Sequence, residues 1–228
     1  YEFGAWSKDA TNPTNYKIDT TITASFNQIK AVVPKVDDQT KKPDGYKTVT
    51  FKIEGKGGSF VEGETIVYYV DPNREVTLQA PQTNAETGYK FKAWDKNTAT
   101  PTKYDKDTTV KGNFEKQKDI IPAEENGTPN AKPDGYVTVT FEKGEHGTKI
   151  EDQTVYYVNP KADPAKTLGD PSIVKPKVKA ETGYKFTGWD TKDDFEIKDN
   201  KTVIAQYEAL EDVIPKTKND DSEKPEGY

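Results

Sequence analysis

The 228-residue chain is predicted to be mainly β, with little helix. It reads as small domains in tandem, joined by short proline-containing linkers in an elongated array. Three observations predict this. One motif is written three times: Tyr1-Glu-Phe-Gly-Ala-Trp6 returns as Tyr89-Lys-Phe-Lys-Ala-Trp94 and as Tyr184-Lys-Phe-Thr-Gly-Trp189. A Pro-Asp/Glu-Gly-Tyr signature ends at Tyr46, Tyr136 and Tyr228, so the period is 90 residues from 46 to 136 and 92 from 136 to 228. That is too long for a helical hairpin or a propeller blade and suits an independent domain with its own core. Between these marks, apolar and polar residues alternate with a period of two, and Gly and Pro punctuate the runs.

Each element follows in order. The first strand of a repeat carries Val49, Phe51 and Ile53, or Val137, Val139 and Phe141, on its core face, with Thr138 and Thr140 facing water. Gly55-Lys-Gly-Gly58 and Gly144-Glu-His-Gly147 end it. The second strand is Thr65–Val70 or Gln153–Val158, stopped by Asp71-Pro72 or Asn159-Pro160, because proline cannot donate to a ladder. A variable segment follows, Asn73–Ala85 or Lys161–Ala180. Pro164, Pro171 and Pro176 rule out a long helix there and leave room for a short helical turn at Pro164–Leu168.

Glu-Thr-Gly-Tyr, at Glu86–Tyr89 and Glu181–Tyr184, is the turn that launches the aromatic strand. Tyr184 and Phe186 share a face by alternation. Trp189 falls on the other parity, which calls for a bulge or a sharp bend at Thr187-Gly188. The closing strand aligns as Ile22, Ala24, Phe26; Val110, Gly112, Phe114; and Val203, Ala205, Tyr207. Its middle residue is always tiny, as a strand needs where a bulky ring packs over its backbone, and the repeat's own Trp is the candidate ring. Tyr89, Phe91, Trp94, Phe114, Tyr184, Phe186, Trp189 and Tyr207 therefore read as a structural core motif.

These marks place the C-terminal part of one repeat at 1–34 and complete repeats at 43–122 and 133–215. Linkers and the start of a further repeat fall at 35–42, 123–132 and 216–228. The linkers begin after Val33-Pro34, Ile121-Pro122 and Ile214-Pro215 and are expected to be extended and polyproline-like. By its repeat phase the chain reads as a fragment, and residues 1–42 alone are expected not to fold.

Hydrophobic and charged residues each make up 32% of the chain, and the formal charge is −6 with both signs interspersed. Several small cores explain the low aliphatic content, and there is no basic stripe of the kind nucleic acid requires. No apolar run is long enough to span a bilayer. The absence of Cys excludes disulfides, thiolate metal sites and Cys nucleophiles.

Gly183-Tyr-Lys-Phe-Thr-Gly-Trp189, followed by Thr202-Val-Ile-Ala-Gln-Tyr207, resembles the Listeria–Bacteroides repeat, a module that includes the B-repeat of internalin B. The second copy departs from the pattern at Ala93 and at Lys111-Gly-Asn-Phe114. The N-terminal half of each copy is similar to tandem repeats of Gram-positive wall-anchored surface proteins. The resemblance implies small β-grasp-like domains, no enzymatic activity, no cofactor, and display outside the cell at the bacterial wall.

The residues themselves offer little chemistry. His146 is the single histidine, and its counterpart loop has none. Asp190, Asp193, Asp194 and Asp199 supply oxygens for calcium, but the spacing is not that of an EF-hand loop, and Asp95-Lys-Asn-Thr lacks most of them. A Lys–Asn isopeptide crosslink needs a buried Lys, an Asn and a nearby acid; Asn27, Asn113 and Gln206 lie near the closing strand, yet the Asn does not persist in the third copy. Tyr68-Tyr69 and Tyr156-Tyr157 are candidate ligand contacts, since neighbouring strand residues point to opposite faces and one of each pair should be exposed.

The sequence reading is a non-catalytic stalk of an adhesin-like surface protein, projecting a distal binding domain. The alternative is that the repeats themselves bind a host matrix protein or glycan through many weak contacts.

Overall fold

A computed structural model describes residues 1–8 and 15–211. The predicted segment 216–228 and the Ile214-Pro215 pair lie outside the described residues. The chain divides into two compact units, one made of residues 1–84 and 91–114, the other of 85–90 and 115–228. Every regular element among the described residues is a strand.

The first unit opens with β1 (Glu2–Trp6) and β2 (Ala24–Asn27), a separate antiparallel pair. Its aromatics are bare: Tyr1 is 80% exposed and Phe26 60%. Phe26 meets Phe3 edge-on at 6.1 Å, and Phe3 lies 5.6 Å from Trp6.

The rest of this unit is built from β3 (Val32–Pro34), β4 (Lys47–Glu54), β5 (Gly58–Phe60), β6 (Val67–Val70), β7 (Thr83–Ala85), β8 (Tyr89–Trp94) and β9 (Thr108–Lys116), with Ala85 of β7 and the facing ends of β8 and β9 falling to the second unit. Five of these form one sheet in the order β3-β6-β4-β9-β8, and β5 pairs with β7. Two ladders meet at β4: an antiparallel one to β6 and a parallel one to β9, running from Val49↔Thr108 to Glu54↔Asn113.

The second unit repeats the plan. Its strands are β10 (Ile120–Pro122), β11 (Glu124–Glu125), β12 (Thr128–Pro129), β13 (Val137–Glu142), β14 (Gly147–Glu151), β15 (Val155–Val158), β16 (Lys177–Ala180), β17 (Tyr184–Trp189) and β18 (Lys201–Ala209). The sheet order is β10-β15-β13-β18-β17, with β14 paired to β16. Strands β13 and β18 are parallel, from Val139↔Lys201 to Glu142↔Ile204.

The core lies under the middle strands. Val49, Phe51, Val70 and Val110 are buried in the first unit, and Val139, Phe141, Val158 and Val203 in the second, as the alternation requires. The other half of each core comes from irregular chain. Val76, Leu78 and Tyr104 fill it in the first unit, and Leu168, Ile173 and Ile197 in the second. Backbone bonds such as Leu78 N–H to Thr98 O and Ile197 N–H to Lys166 O pin these segments. There is no helical turn at Pro164–Leu168; Thr167 instead bridges to Glu196.

The bulge expected beside the third Trp is present. The β17–β18 register slips between Phe186 and Gly188, and Gly188 takes φ 140°, which a side chain rarely adopts. The slip carries Trp189 opposite Ala205, where it meets Phe141 edge-on at 5.0 Å. In the first unit Trp94 meets Phe51 in the same way at 5.1 Å. A Cβ on Gly112 would come within 2.6 Å of the Trp94 ring, so the tiny middle residue is a steric requirement.

The aromatic motif is not the buried core itself. Tyr89, Phe91, Trp94, Phe114, Tyr184, Trp189 and Tyr207 are half-buried, and Phe186 is 40% exposed. Six of them lie on β8 and β17, which are edge strands with less protein over them, and Phe114 and Tyr207 lie on β9 and β18 beyond the last residues paired with β4 and β13.

Two expectations about the connecting segments change. Val32–Pro34 and Ile120–Pro122, placed by the sequence at the ends of preceding repeats, are edge strands on β6 and β15. The segment 123–132 is not polyproline-like: β11 and β12 form a short hairpin around Asn126-Gly127, with φ of 52° and 76°. Asn-Gly accepts two positive φ values, so this turn chemistry outweighs the nearby prolines.

Gly112→Val is expected to destabilise the first unit by about 2 kcal/mol through overpacking against Trp94. Trp189→Ala is expected to cost the second unit about 3 kcal/mol. Denaturant unfolding of the full chain measures both, and unchanged midpoints would contradict the packing described.

Candidate functional site

The Tyr-Tyr strands are the part of each repeat that the sequence singles out for contact with a partner. In β15, Tyr156 points inward. It is 3% exposed, packs edge-on to Phe141, and its hydroxyl donates to the Val174 carbonyl (2.9 Å) while accepting the Val174 N–H (3.1 Å). Tyr68 is its counterpart in β6, edge-on to Phe51, with its hydroxyl donating to Gln79 O at 3.0 Å. Both hydroxyls are spent on anchoring the irregular segment of the core. Tyr69 and Tyr157 lie on the other parity and are half-buried. Of the four tyrosines proposed as ligand contacts, these two keep their faces turned from the core.

The outer edge of each Tyr-Tyr strand is covered by the chain itself. Val33 faces Tyr69 and Pro34 faces Tyr68, just as Ile121 faces Tyr157 and Pro122 faces Tyr156. Flanking bonds repeat too: Lys35 N–H to Val67 O and Ala123 N–H to Val155 O at one end, Asp71 N–H to Ala31 O and Asn159 N–H to Asp119 O at the other. Ile120 is buried and belongs to the core of the second unit. Proline at the last position costs no bond on the sheet's outer side, which suits an edge strand.

The Pro-Asp-Gly-Tyr signature holds this edge strand. Gly45 and Gly135, with φ of 81° and 74°, turn the chain so that the following tyrosine comes inward. The Tyr46 hydroxyl donates to Lys30 O (2.9 Å), and the Tyr136 hydroxyl donates to Lys118 O (2.8 Å). In the second unit, the buried Asn159 amide also donates to Asp119 Oδ1 at 2.9 Å. The tyrosine's recurrence in all three signatures was the available sequence signal for this role. The Asn159–Asp119 contact had none, because Asp71 stands at the matching position of the first repeat.

The remaining candidates are absorbed by structure. His146 stacks on Tyr184 with ring centres 3.7 Å apart, and its Nδ1 lies 3.4 Å from Glu181 Oε2. Asp190, considered for calcium, accepts the Ile204 N–H (3.0 Å) and the Thr191 hydroxyl (2.8 Å). Asp95, also following a Trp, accepts the Lys111 N–H at 2.7 Å, so in both units the carboxylate after the Trp accepts a backbone N–H of the closing strand. Asp193 pairs with Lys175. Among the described residues, no group of three or more His, Cys, Asp or Glu is placed to hold a metal ion. Asn27 is exposed, and the Gln206 amide faces carbonyls of its own strand.

Two like sheets, each with parallel first and last long strands and a donated edge strand, define a tandem β-repeat protein. The family model described as the Listeria–Bacteroides repeat domain matches residues 48–115 and 137–209, more than half of the chain. The chain belongs to that family. No curated protein and no solved structure matches it.

Burial of Tyr136, reinforced by the Asp119 carboxylate, pushes its hydroxyl up to about 12. Burial raises Tyr46, Tyr68, Tyr104, Tyr156 and Tyr207 in the same direction. An unfolded phenol ionises near pH ~10. Between these values the folded chain holds a proton that the unfolded chain loses, so the contribution is complete below the unfolded value and disappears as pH rises through the folded one. Tyr136→Phe is expected to cost about 1 kcal/mol at neutral pH by removing one buried hydrogen bond. It is also expected to flatten the alkaline fall in stability, measured by denaturant midpoints across pH. An unchanged alkaline slope would contradict the assignment.

Proposed function

We propose that these repeats are the spacer of an exported, adhesin-like protein displayed at the wall of a Gram-positive bacterium, carrying a distal binding domain away from the cell. The observation that carries this is the identical seating of Val32–Pro34 and Ile120–Pro122 as edge strands. The segment that connects repeats is folded into a sheet in both units, so each added copy adds ordered chain and little free tether. Family membership supports the reading, since this repeat is a structural module typical of surface proteins. Absence of Cys suits export without disulfides. No helix among the described residues is long and apolar enough to cross a membrane.

The mechanism is geometric: copy number sets reach, and no residue is asked to perform a reaction. Partners within the chain are neighbouring repeats. The test is binding of the full chain, as monomer and as an artificially clustered multimer, to matrix proteins, glycans and host cells. The spacer reading predicts no saturable binding in either format. Saturable binding that is lost on Tyr69→Ser with Tyr157→Ser would overturn it and make the repeats themselves the adhesive element, through avidity.

A further inference from the structure

A spacer fixed at one end and bound at the other is pulled, and the direction of pull relative to the strands decides how a domain resists. In the second unit the chain meets the sheet first at the short edge strand β10, and the first and last long strands of that sheet are β13 and β18. These two strands are direct neighbours and run parallel, with Val139, Thr140, Phe141 and Glu142 opposite Lys201, Thr202, Val203 and Ile204. Tension applied at the start of one and the end of the other slides them past each other, so every bond of the ladder is strained together. An antiparallel hairpin pulled at its open end parts one bond at a time. The first unit has the same arrangement over six pairs, from Val49↔Thr108 to Glu54↔Asn113.

The ends of both ladders carry further ties. Asp107 Oδ1 accepts the Thr48 N–H at 2.7 Å, and Asn200 Oδ1 accepts the Thr138 N–H at 2.8 Å. Each joins the residue just before the closing strand to the beginning of the first strand. In the first unit Lys111 Nζ also meets Glu54 Oε1 across the ladder at 2.7 Å. The edge strands β3 and β10 lie outside the clamp. They are three residues long and the first to be loaded from the N-terminal side.

We propose that each repeat is a tension-bearing clamp whose load is carried by the parallel β4–β9 and β13–β18 ladders, with β3 and β10 as short outer catches that yield first. The inference rests on the spacer reading, because only a chain held at both ends is loaded in this direction. Release of the Ile120–Tyr136 stretch gives about 60 Å of extended chain, and rupture of β13–β18 then gives about 250 Å. The second unit, with four paired positions against six, yields before the first.

The chain has no Cys, so pairs of introduced cysteines define where it is pulled. In the full chain, Ala131→Cys with Ala209→Cys loads β13–β18 in shear. Thr182→Cys with Ala209→Cys opens the β17–β18 hairpin from its free end, where Tyr184 faces Ala209. Single-molecule pulling at one loading rate is expected to give a rupture force at least about threefold higher for the first pair, since forced unfolding follows the barrier and not the equilibrium stability. The two variants are first matched for denaturant midpoint, so that a force difference reports direction alone. Equal forces, or a weaker shear pair, would overturn the clamp and leave the spacer standing. Ligand binding by the clustered chain would remove the spacer and leave this comparison intact.

Discussion

The parallel pairing of the first and last long strands governs each unit. A parallel neighbour cannot be reached by a tight turn, so the chain between β4 and β9, or β13 and β18, must travel a long way before returning. That crossover gives the fold its second layer. In this protein the crossover holds four strands together with irregular chain pinned by backbone bonds, and that irregular chain presses Leu78 and Tyr104, or Leu168 and Ile197, against the sheet. Placing the closing strand between the first strand and the edge also fixes the aromatic strand at its outer side. From there Trp94 and Trp189 pack against the core, the latter carried by the slip at Gly188, and the closing strand must present Gly112 or Ala205 beneath the indole.

The opposite edge of the sheet is completed by chain that precedes the family-matched segment. Residues 48–115 and 137–209 define the repeat by similarity, yet each sheet also includes Val32–Pro34 or Ile120–Pro122. Ile120 contributes to the buried core, and Tyr46 and Tyr136 donate hydroxyl bonds to the chain entering that strand. A Tyr-Tyr-Val strand left at the sheet's edge would expose unpaired backbone groups, a template for pairing with other chains. Covering it with the connecting segment removes that hazard and shortens the free linker.

Much of this was legible in the sequence. Period-two alternation located the first strands, and the conflict of parity at Trp189 required the bulge. The small residue in each closing strand announced the ring above it. The irregular half of the core was not legible, because the segments that carry much of it, 73–85 and 161–180, differ in length between the copies. A segment without secondary structure has no period to read. The edge strands were missed for a different reason. Three residues ending in proline look like a stop signal, and only the partner strand, some 36 residues further on, makes them part of a sheet (Ile121 faces Tyr157). The Asn126-Gly127 hairpin signal was present but was outweighed by the surrounding prolines. Among the site candidates, parity separated the members of each Tyr-Tyr pair but could not show which one the core would take.

The most direct test of this architecture is amide hydrogen exchange of the full chain, read residue by residue. The account predicts that the Ala123 and Asn159 amides, which bond across the donated edge strand, exchange through the same unfolding event as the Tyr-Tyr strand itself. The amides of Ala24–Asn27 in the exposed β1–β2 pair should exchange far faster. If Ala123 and Asn159 exchanged at the rate of free peptide while β13 and β18 stayed protected, the connecting segment would be an ordinary linker. The folded unit would then end where the family similarity ends.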